Sequence, residues 1–177
     1  MVNRAANHMK EQVSSRVVAS IQKDRAWELL RDLSLAHNYV PGIIDTRITT
    51  AQNEGIGASR EVYQGRTKSL NETVEDWNEG YGFLIRLHCG EEGPPFPFKE
   101  AWFRYAIEDN GDGSTVLIVS LIYVMRWGIL GRLLNRILLK RFIGNRIRDV
   151  ALSMKLFYET GKPVTPEMLK QATSDIR

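Results

Sequence analysis

Cysteine is almost absent from this chain: Cys89 stands alone, which excludes an internal disulfide. Histidine is nearly as scarce, and His8, His37 and His88 are too scattered to give metal-ligand spacing, which argues against a zinc site. The longest apolar run, Val116 to Met125, is about half of the ~20 residues a membrane helix needs, and Met1 to Gln12 lacks the apolar core of a signal peptide. These absences lead us to expect a soluble protein of a reducing, cytoplasmic compartment that calls for no cofactor. Acidic residues are missing where the basic ones crowd together. Residues 126–148 hold seven Lys and Arg and no Asp or Glu, so the rest of the chain carries 17 basic against 21 acidic residues, a net −4 beneath the overall +3. Such a run reads as a solvated helix face, or as a basic mouth for an anionic ligand, or as a contact for an acidic partner or an anionic membrane surface. Nucleic acid is not expected as a partner, because no base-reading motif accompanies the charge.

With 177 residues the chain has the length of one ordinary domain, able to bury a core without cross-links. The stretch that organises it is Gly128 to Thr160. Leu130, Leu133, Leu134, Ile137, Leu138, Phe142, Ile147, Val150, Ala151, Met154, Phe157 and Tyr158 recur there at three- and four-residue spacing, the stripe of an amphipathic helix. Arg132, Arg136, Lys140, Arg146 and Arg148 fall on the other side, and Gly161 with Pro163 supplies the stop. At ~1.5 Å per residue this helix would run ~48 Å. Gly144 is the expected place for a bend.

Before that helix the sequence reads as a sheet. Residues 1–12 are expected as a disordered tail, Val13 to Ile21 as a first strand, Asp24 to Leu33 and Ser34 to Val40 as two short helices stopped at Pro41-Gly42. Period-two segments follow at 43–52, 58–64, 69–77, 81–89, 98–108 and 114–125, separated by turns too short for crossover helices, so the strands must run as antiparallel hairpins. After the 13–161 domain, 162–177 forms an extension in which Thr165-Pro166-Glu167 starts one peripheral short helix.

Parity on these strands proposes what faces inward. The sets are Phe83, Ile85 and Leu87 (with Arg86 and His88 outward), then Arg60, Val62 and Gln64, then Leu70, Glu72 and Val74, then Phe98, Glu100, Trp102 and Arg104. Glu72, Glu100 and Arg60 would then share one enclosed space. A carboxylate there must be paired or have a raised pKa. It is read as a structural ion pair with Arg60, or as a general acid or base. Trp77, Trp102 and Trp127 are read as packing or pocket wall.

The order of strand, two short helices, six antiparallel strands and long helix resembles the α+β helix-grip fold of the START-like or Bet v 1-like superfamily, which includes polyketide cyclase/dehydratase-like and lipid-transfer proteins. The resemblance rests on Val17-Val18-Ala19-Ser20-Ile21, Trp27-Glu28-Leu29-Leu30-Arg31-Asp32, Tyr39-Val40-Pro41-Gly42-Ile43 and Gly55-Ile56-Gly57 before Arg60. Further on it rests on Gly113-Ser114-Thr115-Val116, Gly128-Ile129-Leu130-Gly131-Arg132-Leu133-Leu134 and Leu156-Phe157-Tyr158-Glu159-Thr160-Gly161. It implies a curved seven-stranded antiparallel sheet wrapped around the C-terminal helix, with an apolar pocket between them. The mouth loops would be Gly65 to Thr67 and Glu91 to Pro97. The Gly93-Pro94-Pro95-Phe96-Pro97 run cannot form strand, so Gly90 to Pro97 is expected as a mobile lid, with Phe96 and Phe98 at the mouth. On the last strand, apolar on both faces, the resemblance favours Leu117, Val119, Leu121 and Tyr123 inward. From the helix Leu134, Ile137, Leu138 and Arg141 complete the pocket set. No catalytic constellation of the aromatase/cyclase branch is recognisable. The function expected is binding or carriage of a hydrophobic small molecule or lipid, with a cyclase or dehydratase using Glu72, Glu100 or Tyr123 as the alternative.

Overall fold

The computed structural model describes residues 10–65, 68–90, 93–126 and 139–174. Alternating segments become β1 (Glu11–Ala19), β2 (Asp45–Ile48), β3 (Ser59–Tyr63), β4 (Ser69–Asn78), β5 (Gly82–His88), β6 (Phe98–Asp109) and β7 (Thr115–Met125). They form one antiparallel sheet in the order β1-β7-β6-β5-β4-β3-β2. The short turns make the meander from β2 to β7, and β1 closes it by pairing with β7. Glu11 and Gln12, expected in the tail, already pair with Tyr123 and Ile122. β2 is the shortest strand, because after Ile48 the backbone turns into a loop tied by Thr50 Oγ1 donating to Gln52 O and Gln52 Nε2 to Ile56 O.

Between β1 and β2 lies α1 (Lys23–Arg31), which buries Ala26, Trp27 and Leu30. Asp32 ends it and restarts the chain: its carboxylate accepts from Ser34 N–H, capping a 3-10 turn over Leu33–Asn38. After β7, α2 (Lys140–Thr160) buries Ile147, Val150, Ala151, Met154, Phe157 and Tyr158 of the expected stripe, together with Ile143, which was not part of it. It runs through Gly144 without a break and stops at Gly161, whose φ of 68° lets its N–H reach Phe157 O at 2.8 Å. Phe142, expected in the stripe, is instead exposed and lies under the Arg146 guanidinium at 5.5 Å. Trp127 and the first part of the expected helix, with Leu134, Ile137 and Leu138, lie outside the described residues. A last helix, α3 (Pro166–Ser174), begins where Thr165 Oγ1 accepts from Met168 N–H. Among the described residues no helix is long and apolar enough to cross a membrane.

Parity holds on most strands and fails on β6 for a local reason. Phe98 pairs with Met125 but Glu100 pairs with Val124, so one extra residue enters the strand. Such a bulge moves every later side chain to the other face. Phe98 therefore faces inward, its ring 5.1 Å from Tyr123, while the inward set beyond it is Ala101, Phe103, Tyr105 and Ile107. Glu100 and Arg104 are exposed on the outer face. Trp102 is on that face too: its indole N–H donates to Glu75 at 2.7 Å and Lys10 Nζ sits 4.3 Å over its ring. Leu117, Val119, Leu121 and Tyr123 face the core.

The helix does not cover the sheet evenly. α2 packs on β1 and β7, and α1 on β5 and β6. The 3-10 turn packs on β2 and β3, and α3 packs on α2.

Candidate functional site

That uneven coverage leaves a cavity of about 1220 Å³ between β3, β4 and α2. Its apolar wall includes Val62 and Leu70 from the sheet, Phe103 from β6, Val150 from α2, and Val40 and Ile43 from the segment after the 3-10 turn. The volume is at or above the ~300–1,000 Å³ of ordinary small-molecule sites. Arg60, Val62, Gln64, Leu70 and Glu72, five of the residues singled out in the sequence, lie together on its wall.

Arg60 and Glu72 are direct cross-strand partners on β3 and β4, which places both side chains on the same face of the sheet. Arg60 Nε donates to Glu72 Oε2 at 2.6 Å, and Arg60 Nη1 donates to Leu33 O at 2.8 Å. The two are 1% and 5% exposed, so this is a buried ion pair. Burial, the largest single effect, would lower the Arg60 pKa, but the Glu72 carboxylate together with Tyr39 and Tyr105 outweighs it and holds the guanidinium above its ordinary range.

Around the pair stand hydroxyls that sequence reasoning missed. Tyr39, Tyr105 and Ser153 are each 1% exposed and line the cavity. Tyr158, also buried, stands edge-on to Tyr39 with ring centroids 6.1 Å apart. The hydroxyls of Tyr39, Ser153 and Tyr158 have no hydrogen-bond partner among the described residues. An unmet buried hydroxyl costs about 1–3 kcal/mol, so these three are polar groups kept against that cost. The sequence carried a faint signal: Ser153 interrupts an otherwise apolar helix stripe, and Tyr39 falls between a helical turn and Pro41.

The other candidates lie elsewhere. Phe83, Ile85, Leu87, Leu121 and Tyr123 are buried in the core, away from the wall. Phe83, for example, stacks on Trp77 at 5.5 Å and meets Tyr105 at 5.4 Å, so side chains fill that side. Glu100 and Trp102 are carried to the outer face by the bulge, and Arg141 is exposed and off the wall. Phe98 packs on Tyr123, off the wall as well. The loop expected as a lid has no described residue on the wall, and Phe96 is 64% exposed. Its end is fixed to β7 instead, with Arg126 N–H donating to Pro97 O and Arg126 Nε to Phe98 O. His88 faces outward as expected, in line with Thr73 Oγ1 at 2.9 Å and Gly90 O at 2.7 Å.

Burial raises the pKa of Tyr39, Tyr105 and Tyr158, well above the ordinary value in the last two. Each folded-state value lies above the unfolded one, so the stability linked to these groups is complete below the ordinary tyrosine range, near ~10. It falls as pH rises through that range toward the folded values. Alkaline titration followed by tyrosinate absorbance should therefore show a fraction that ionises only as the fold is lost. Reversible ionisation of every tyrosine in one ordinary step, with the fold intact, would contradict this placement.

A family model described as polyketide cyclase / dehydrase and lipid transport matches residues 10–155. No curated protein matches the sequence. Among solved structures the chain is similar to a protein from Thermobifida fusca, with TM-score 0.65 and 18% identity over 83% of this chain and 92% of that one. It is also similar to Ara h 8.0201, with TM-score 0.59 and 12% identity over 85% and 98%. The di-domain ARO/CYC StfQ from the steffimycin biosynthetic pathway gives TM-score 0.65 and 12% identity over 86% of this chain and 51% of that one.

Proposed function

Because the chain belongs to the polyketide cyclase / dehydrase and lipid transport family, we propose that its cavity binds or carries a hydrophobic small molecule or lipid. The observation that carries this reading is the cavity itself: about 1220 Å³, with Val40, Ile43, Val62, Leu70, Phe103 and Val150 on its wall beside the unpartnered buried hydroxyls of Tyr39 and Ser153. Apolar walls supply affinity through removal of ligand surface from water, at roughly 25 cal/mol per Å². A few fixed polar groups orient what is bound. Leu70→Trp, which adds bulk to the wall, should weaken binding of a neutral apolar dye such as Nile red about tenfold or more, by analogy with overpacked sites. Its thermal unfolding should stay cooperative. Unchanged dye affinity in a folded Leu70→Trp protein would sink the reading.

The second reading, a cyclase- or dehydratase-like enzyme, is favoured by one observation: Glu72, a carboxylate on the cavity wall, lies among buried hydroxyls. Glu100 and Tyr123 do not lie on that wall, so Glu72 is the group left to act. Loss of a general acid or base costs ~10² to 10⁴ in rate. Glu72→Asp keeps the charge that balances Arg60 but draws the carboxylate back. Turnover of a polyketide-like substrate by the native protein, lost in Glu72→Asp while binding survives, would replace carriage with catalysis.

A further inference from the structure

The family match ends at residue 155, yet the cavity wall does not. The segment beyond Gly161 returns to the fold, with Val164 N–H donating to Asn38 O at 2.9 Å, and sets α3 against α2. α3 buries no residue fully, but Leu169, Lys170 and Thr173 line the cavity. Leu169 and Thr173 are half-buried, four residues apart on one face. A helix that only decorated the surface would have no need of an apolar stripe over a cavity.

Charge on the same wall is unbalanced. Glu72 is committed to Arg60, which leaves Asp149 against Arg146, Arg148 and Lys170. None of those three cations has a carboxylate partner among the described residues; Arg146 lies over the Phe142 ring instead. A net positive rim above apolar walls, with the unpartnered Tyr39 and Ser153 hydroxyls on the same surface, matches a molecule that is apolar along its length and negative at one end.

Building on the proposed binding role, we infer that α3 is part of the binding site: it closes over an anionic amphiphile. The carboxylate or phosphate head is held between Lys170 of α3 and Arg146 and Arg148 of α2. The tail lies against Val62, Leu70 and Phe103, with Leu169 covering it.

The test titrates the full chain with dodecyl phosphate, dodecanoate and dodecanol at low salt. Both anions should bind about tenfold or more tighter than the alcohol, with an advantage that shrinks as salt rises. Lys170→Glu and Arg148→Glu should each remove most of that advantage and leave dodecanol unchanged. Arg104→Glu makes the same change of charge on the outer face of the sheet and should leave all three affinities alone. Leu169→Asp should weaken all three. Either order of affinity between the two anions supports the inference and identifies the head. If dodecanol binds as tightly as the anions and the rim variants change nothing, the inference is overturned and the cavity reading stands. If none of the three binds, both fall.

Discussion

Glu72→Gln is expected to cost about 3–5 kcal/mol of unfolding free energy, because it leaves the Arg60 guanidinium buried at 1% exposure with no counter-charge. Removing one partner of a buried pair is far more damaging than removing both. The double variant Arg60→Met with Glu72→Leu should therefore recover most of the loss, since similar volume then fills the space without a charge to desolvate. Leu33 O, which accepts from Arg60 Nη1, would lose that bond in the double variant, so recovery should stop short of complete. Urea unfolding of the three proteins measures this. A single variant as stable as the native chain would mean that the pair is solvated rather than enclosed.

Met154→Ala and Ile147→Ala should each cost about 2–5 kcal/mol, as large-to-small changes in side chains 0% and 2% exposed. Both sit on the stripe of α2 that packs against the sheet. They lie seven residues apart, about two helical turns, so the double variant should come close to the sum of the singles. Thermal or urea unfolding reads the effect. Midpoints unmoved by both changes would remove the support for α2 as the element that closes the sheet.

Much of the fold was legible because two periodicities and the punctuation between them agree. Strand alternation broken at Asn78-Glu79-Gly80 and Asn110-Gly111-Asp112-Gly113 can only give hairpins, and the meander from β2 to β7 followed from that. The site was legible where parity was undisturbed. Arg60 and Glu72 fall on uninterrupted stretches of their strands, and they meet as expected. Parity on β6 was counted from Phe98, across an extra residue that composition does not announce, and so it carried Glu100 to the wrong face. The alternation of Phe103, Tyr105 and Ile107 with Arg104 and Glu108 was the cleaner guide, because it lies wholly beyond the bulge. Which part of the space between sheet and helix stays open was not legible. It depends on α2 leaning toward β1 and β7, and on the segment before α3 returning to Asn38 at the end of the 3-10 turn, both of which are tertiary choices. Tyr39, Ser153 and Tyr158 became candidates only once burial showed hydroxyls without partners.

The space beside β3, β4 and α2 is proposed to hold an apolar ligand. Native mass spectrometry of the gently isolated protein, followed by organic extraction and a second measurement after dodecanol is added back, tests it directly. An adduct of lipid-like mass is expected, which extraction removes and dodecanol replaces at one equivalent, with both signals weakened in Leu70→Trp. A protein that carries no adduct as isolated and takes up no dodecanol would contradict it.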